Sequence, residues 1–184
     1  RQRINRHSPP RGEYPVPELT ISRRNLIAGS AAAAGVALLF NLQGRAGAAT
    51  APPGPFKVSY TPAQWRARLS PAAYYVLREE GTERAGTSPL NNEHRAGTFV
   101  CAGCALPLFS STTKFDSGTG WPSFWAPLPK AIGTTTDRSL GMERTAVWCT
   151  RCGGHQGHVF DDGPKPTGLR YCINGVALKF VPKA

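Results

Sequence analysis

Thr145-Ala146-Val147-Trp148-Cys149-Thr150-Arg151-Cys152-Gly153-Gly154-His155-Gln156-Gly157-His158-Val159-Phe160 is the stretch whose reading decides the fold. It holds a β run over Thr145–Cys149, a Cys-x-x-Cys turn with two glycines at its end, and a return to β over His158–Phe160. Two sulfurs on one tight turn need the backbone freedom that Gly153 and Gly154 supply. A matching turn, Cys101-Ala102-Gly103-Cys104, ends the run Thr98–Cys101. Further outward, Pro107–Ser110, Ser123–Leu128 and Leu169–Val181 alternate with turn residues in the same way. Ahead of them lie two helix starts. Thr61-Pro62-Ala63-Gln64 offers an N-cap, a proline in the first turn and a capping-box partner, for a helix to about Leu69. Ser70-Pro71 repeats the signal, and Gly81 ends a helix carrying Tyr74, Tyr75, Val76 and Leu77. The prediction is a mainly antiparallel β domain with two short helices at its front. Twenty glycines and 17 prolines among 184 residues agree, since they disfavour long helices.

Two facing Cys-x-x-Cys turns can close a tetrahedral thiolate shell around zinc, with bonds near ~2.3 Å. The two turns, Cys101/Cys104 and Cys149/Cys152, lie far apart in the chain, so one structural Zn2+ per chain would staple distant segments. Two disulfides, or a redox dithiol at one turn, are the competing readings.

The fifth cysteine stands alone. Arg170-Tyr171-Cys172-Ile173-Asn174 reads as a strand, and period two places Arg170, Cys172 and Asn174 on one face. A nearby guanidinium favours the reactive thiolate. An inert, buried cysteine is the alternative. His155 and His158 are candidate proton donors, but residues three apart on a regular strand face opposite ways. They converge only if Gly154 or Gly157 bends the strand. Extra metal ligands or surface histidines are the other options. In Lys114–Phe124, Gly118-Thr119-Gly120 precedes Trp121-Pro122, a loop able to present Trp121 as an apolar platform or to bury it as core.

The net charge of +11 is divided between residues 1–50 and residues 51–184. Residues 1–50 hold seven arginines against Glu13 and Glu18. The later cations are scattered, with no run of three, and beside the cysteine turns only Arg151 and Trp148 suggest nucleic acid. A zinc-knuckle binding module without catalysis is therefore the weaker reading, and no nucleic-acid partner is expected. Ser22-Arg23-Arg24-Asn25-Leu26-Ile27 is a twin-arginine signature. An uncharged stretch from Ile27 to Leu42 and the small-x-small site Ala46-Gly47-Ala48 follow it. This resembles a Tat export signal, with a retained anchor or a buried helix as alternatives. The expected organisation is a signal peptide over 1–48, a linker over 49–58 and a domain over 59–184. The expected location is periplasmic or otherwise exported, with membrane contact only through the uncleaved signal.

Read together, the motifs resemble the B-type peptide methionine sulfoxide reductases (the MsrB family). The segments are Tyr75–Arg78 with Gly81-Thr82-Glu83, Lys114–Phe124, and Gly141-Met142-Glu143-Arg144-Thr145. Gly157–Phe160 with Asp162-Gly163-Pro164, and Thr167–Asn174, complete the set. The resemblance implies two antiparallel sheets with peripheral helices. It implies that Cys172 attacks the sulfoxide sulfur, and that His155 and His158 bind or protonate its oxygen. Asp162, Arg170 and Asn174 would support that network. Trp121 and Phe160 would receive the substrate methyl, and Cys101, Cys104, Cys149 and Cys152 would hold structural zinc. The implied activity is thiol-dependent reduction of peptide methionine R-sulfoxide through a sulfenic acid on Cys172, which repairs oxidative damage. The implied partners are oxidised proteins or peptides and an external thiol, thioredoxin-like or small; a monomer is expected. Three features depart from the family pattern: Thr119 where a resolving cysteine is common, Gly175 where serine is usual, and no aromatic-containing loop in Arg84–Leu90.

Overall fold

The computed structural model describes residues 54–184. The expected signal segment and the start of the expected linker lie outside the described residues. Two helices come first. In α1 (Pro62–Arg68) the Thr61 hydroxyl accepts from Gln64 N–H at 3.3 Å, and the Gln64 side chain accepts from Thr61 N–H at 3.0 Å. This capping box satisfies two amides that a helix start would otherwise leave unpaired. In α2 (Pro71–Glu79) the Ser70 hydroxyl caps Ala73 N–H, and Ala73, Val76 and Leu77 form the buried face. Their three- and four-residue spacing turns one stripe to the core.

Nine strands follow, all paired antiparallel. They are β1 (Gly97–Cys101), β2 (Pro107–Ser110), β3 (Lys114–Phe115), β4 (Ser123–Phe124), β5 (Ile132–Asp137), β6 (Arg144–Cys149), β7 (His155–Phe160), β8 (Arg170–Ile173) and β9 (Leu178–Pro182). They form a small sheet in the order β2-β1-β9 and a large one in the order β3-β4-β8-β7-β6-β5. The core lies where the sheets meet. Phe99 and Phe109 of the small sheet contact Phe124 of the large one, with ring centroids 5.0 and 4.4 Å apart. All three rings are fully buried, each stabilising the fold by roughly 1.5–3 kcal/mol. Val58, within the expected linker, also packs here, and its N–H donates to the Arg151 carbonyl.

The expected architecture of two antiparallel sheets with two short front helices is what the chain forms. Several details differ from the sequence reading; among them, β3 was not anticipated and β7 starts at His155 and not at His158. The run Leu169–Val181 is two strands, split by a 3-10 turn over Gly175–Ala177 and sent to different sheets. The run Ser123–Leu128 shortens to β4. β5 was not anticipated, because Gly133-Thr134-Thr135-Thr136 lacks apolar alternation; it lies at the edge of its sheet, with Thr134 and Thr136 exposed.

Candidate active site and metal centre

β7 carries one residue more than its partner. Trp148 pairs with His155 and Val147 with Gly157, so Gln156 is a bulge. The extra residue restores both imidazoles to one side, with rings 5.3 Å apart. Gly157 has φ 151°, and a Cβ there would collide with the Cys172 carbonyl. Only glycine lets β8 approach β7 this closely.

His158 and Cys172 are direct cross-strand partners on β7 and β8. Side chains of such a pair share a face and lie close together. Both line a cleft of about 110 Å³ with Trp121, Phe160, Asn174, Arg144, Thr82 and Gly157. Trp121 is locked there by its indole N–H, which donates to the Glu83 carbonyl at 2.9 Å. Asn174 is clamped at both ends: its side-chain oxygen accepts from Glu83 N–H, and its amide donates to the Gln156 carbonyl.

The other proposed residues stand behind this wall. Arg170 grips Asp162 with two bonds of 2.8 and 2.7 Å and stacks over Phe160 at 4.5 Å. His155 is buried between Trp148 and His158 and does not line the cleft, because its end of β7 packs under the indole. Neither of its ring nitrogens has a hydrogen-bond partner among the described residues. Burial, aided by His158, pushes its pKa down to about 3, so it is neutral at neutral pH.

The Cys172 thiol is pushed up by burial, while the Thr119 hydroxyl at 3.9 Å and the Arg170 guanidinium pull it down. The guanidinium acts in the anticipated direction, but desolvation outweighs it. His158 is also lowered by burial, against an opposing pull from Asp137. That partner was missed in the sequence. Asp137 Oδ2 lies 2.8 Å from His158 Nε2 and 2.7 Å from an Arg144 amine, and Ser139 N–H donates to its other oxygen. These bonds hold the Asp137 carboxyl well below the usual range despite its burial. An ionised carboxylate on Nε2 fixes the proton there and leaves Nδ1 as the titrating nitrogen. The missed signal was the Asp137/Arg144 pair flanking the Gly141-Met142 turn, readable only once β5 is known to pair with β6.

Gly175 has a local reason. A Cβ there would strike the Ser88 hydroxyl, which is buried against it. The Glu83 carboxylate accepts from Gly175 and Val176 N–H, tying the Thr82 loop to the segment after Cys172.

The four remaining cysteines converge elsewhere. Their sulfurs all lie within 4.8 Å of one another, with Cys101–Cys152 at 3.7 Å and Cys104–Cys149 at 3.5 Å. A tetrahedral shell with bonds of ~2.3 Å separates its sulfurs by about 3.8 Å, whereas a disulfide needs about 2.05 Å. All are free thiols, so the disulfide reading does not fit and the donor set fits zinc. Arg78 donates to the Cys152 carbonyl at 3.0 Å and Arg151 to the Cys104 carbonyl at 3.2 Å. Two cations facing four thiolates around a divalent ion would balance its net charge of −2.

The SelR domain model matches residues 69–182. The peptide methionine sulfoxide reductase MsrB of Thiobacillus denitrificans is 58% identical over 124 residues, which is 67% of this chain and 94% of that protein. The MsrB of Pseudomonas putida (strain W619) is 57% identical over 128 residues, 69% of this chain and 96% of that protein. That of Bradyrhizobium diazoefficiens is 56% identical over 128 residues, 69% of this chain and 92% of that protein. With the motif segments folded around a single cleft and these matches spanning the described domain, the chain belongs to the SelR-domain family of MsrB-type peptide methionine sulfoxide reductases.

Proposed function

We propose that the protein reduces peptide-bound methionine R-sulfoxide to methionine, repairing oxidised proteins, with Cys172 as nucleophile. The observation that carries this reading is the cross-strand pair of a lone cysteine and a carboxylate-anchored histidine, both open to one cleft. Sulfoxide oxygen leaves sulfur only when protonated. The Cys172 sulfur gives its electron pair to the sulfoxide sulfur, so that an S–S bond forms as the protonated oxygen leaves as water. Water then attacks the Cys172 sulfur, the S–S bond breaks with its electron pair passing to the methionine sulfur, and the thioether departs from a sulfenic acid on Cys172. Thiol plus sulfoxide gives sulfenic acid plus thioether, so no net proton is consumed. His158, protonated at Nδ1, supplies the proton to the oxygen and recovers one from the thiol, and Asp137 steadies its cation. Trp121 and Phe160 receive the methyl, and a fixed methyl place with a fixed oxygen place accepts one hand of the sulfur. Family membership makes that hand the R epimer. His155, Asp162, Arg170 and Asn174 act by holding the wall of the cleft.

Two external thiols then reduce the sulfenic acid, giving a disulfide, water and the free Cys172 thiol. Thr119 sits where an internal partner would have to be, and the other four cysteines are gathered at the metal corner. The reductant is a thioredoxin-like protein or a small thiol. Cys101, Cys104, Cys149 and Cys152 hold one zinc, which when bound supplies a cross-link between the two sheets and no chemistry. The enzyme is an exported monomer, taken through the Tat route on the evidence of Ser22–Ile27 and without nucleic-acid partners. Among the described residues no helix is long and apolar enough to cross a membrane.

Resolved R and S sulfoxide peptides, tried with dithiothreitol, test the activity: turnover of the R peptide alone is expected, and turnover of S alone overturns the assignment. Elemental analysis should return one zinc per chain. Replacing Arg23 and Arg24 by lysine should trap the protein in the cytosol, and undisturbed export rules out the Tat route.

A further inference from the structure

Gln156 touches both the thiolate corner and the catalytic strands. It is the bulge residue of β7, lying between His155 and Gly157, and it is fully buried. Its side-chain amide donates to the Gly154 carbonyl at 3.1 Å and faces the Cys101 sulfur at 3.6 Å. Its carbonyl accepts from Asn174 twice, through the backbone N–H at 2.8 Å and the side-chain amide at 3.0 Å. Asn174 is two residues beyond Cys172, and His158 is two beyond Gln156.

The amide comes at a cost. Its oxygen has no hydrogen-bond partner among the described residues, and an apolar side chain of the same bulk would avoid that penalty. What the amide provides and an apolar chain cannot is an N–H donor to sulfur. A neutral thiol is a poor acceptor, whereas a metal-bound thiolate carries charge that such a donor stabilises. The site is built for the charged cluster, with Arg78 and Arg151 on the ligand carbonyls and Gln156 on a ligand sulfur.

We propose that Gln156 is a positioning residue that couples metal occupancy to catalytic geometry. Its side chain braces the thiolate shell, and its backbone sets the bulge that aligns His158 with Cys172. The inference rests on the zinc and the reductase activity proposed above. It makes metal retention and thiol reactivity respond to one substitution at a position that is neither a metal ligand nor in contact with substrate.

The test uses the zinc-loaded full chain. Gln156→Leu keeps the bulk and removes the donor. It should pass zinc to excess chromogenic chelator at least about tenfold faster than the parent. At full zinc occupancy, alkylation of Cys172 by iodoacetamide, followed on its own peptide by mass spectrometry across pH, should change by about threefold at neutrality, the equivalent of half a pKa unit. Gln156→Met is the second variant, should leucine prevent folding. Unaltered zinc transfer overturns the bracing role. Faster transfer with an unmoved alkylation profile overturns the coupling. The parent's zinc content and R-sulfoxide turnover, measured on the same preparation, separate a failure of this inference from a failure of the function beneath it.

Discussion

The thiolate corner and the Cys172 cleft use one side chain in opposite ways. At the corner, four sulfurs crowd within 4.8 Å, three of the four residues are buried, and two guanidiniums hold the backbone around them. At the cleft a single sulfur faces a hydroxyl, an imidazole partner and an open surface. Four convergent thiolates would repel one another, so a cation shared among them would occupy their electron pairs. A lone thiol with no cation to bind keeps its electron pair available. On the proposed reading, partner number, more than burial, separates a structural cysteine from a chemical one in this fold.

The largest effect expected concerns the corner. Stripping the zinc, or substituting Cys149→Ser, should lower the melting temperature steeply, since structural zinc supplies about 10–16 kcal/mol in zinc-finger peptides. Thermal melting with and without chelator measures it, and a melt unchanged by metal removal would erase the distinction between the regions. At the cleft, Cys172→Ser should lower R-sulfoxide reduction by about 10³-fold or more, with zinc content and melting intact. Unchanged reduction would sink the mechanism.

Asp137→Asn sharpens the same contrast at His158. Without the carboxylate the imidazolium loses its stabilising partner, so the His158 pKa should fall further. The descending limb of kcat should move to lower pH, with a loss of about tenfold per pKa unit at neutrality. An unshifted pH–kcat profile would mean that Asp137 only packs.

A further expected effect is one of stability. The unfolded chain binds a proton at His155 near pH 6.5, and the folded chain only near 3. Between those values the unfolded state holds more protons, so stability falls as the pH is lowered from 6.5 toward 3. Urea midpoints over this range should decline in the parent and decline less in His155→Phe. Equal slopes would refute the assignment.

Much of this was legible in the residues. The capping box at Thr61–Gln64 is local chemistry, complete within four residues, and it formed as read. The paired Cys-x-x-Cys turns announced a four-sulfur site, because each turn brings its two sulfurs together without help from the fold. The glycines around His155-Gln156-Gly157-His158 allowed a bend, and the bulge at Gln156 supplied it. Other parts were hidden for physical reasons. Leu169–Val181 has strand-forming residues on both sides of Asn174-Gly175, and it divides there, where the chain leaves one sheet for the other. That crossing depends on Glu83 and Ser88, roughly ninety residues earlier in the chain.

The sequence alone determined the elements whose causes lie within a few positions: helix starts, cysteine turns, the alternation that sets Cys172 on a strand face, and the family they add up to. Only the tertiary structure decided that Asp137, on a threonine-rich edge strand without apolar periodicity, would anchor His158, and that His155 would withdraw beneath Trp148. Local signals report backbone preference. The pairing of buried charges is set by which strands become neighbours, and that is fixed by the packing of the whole core.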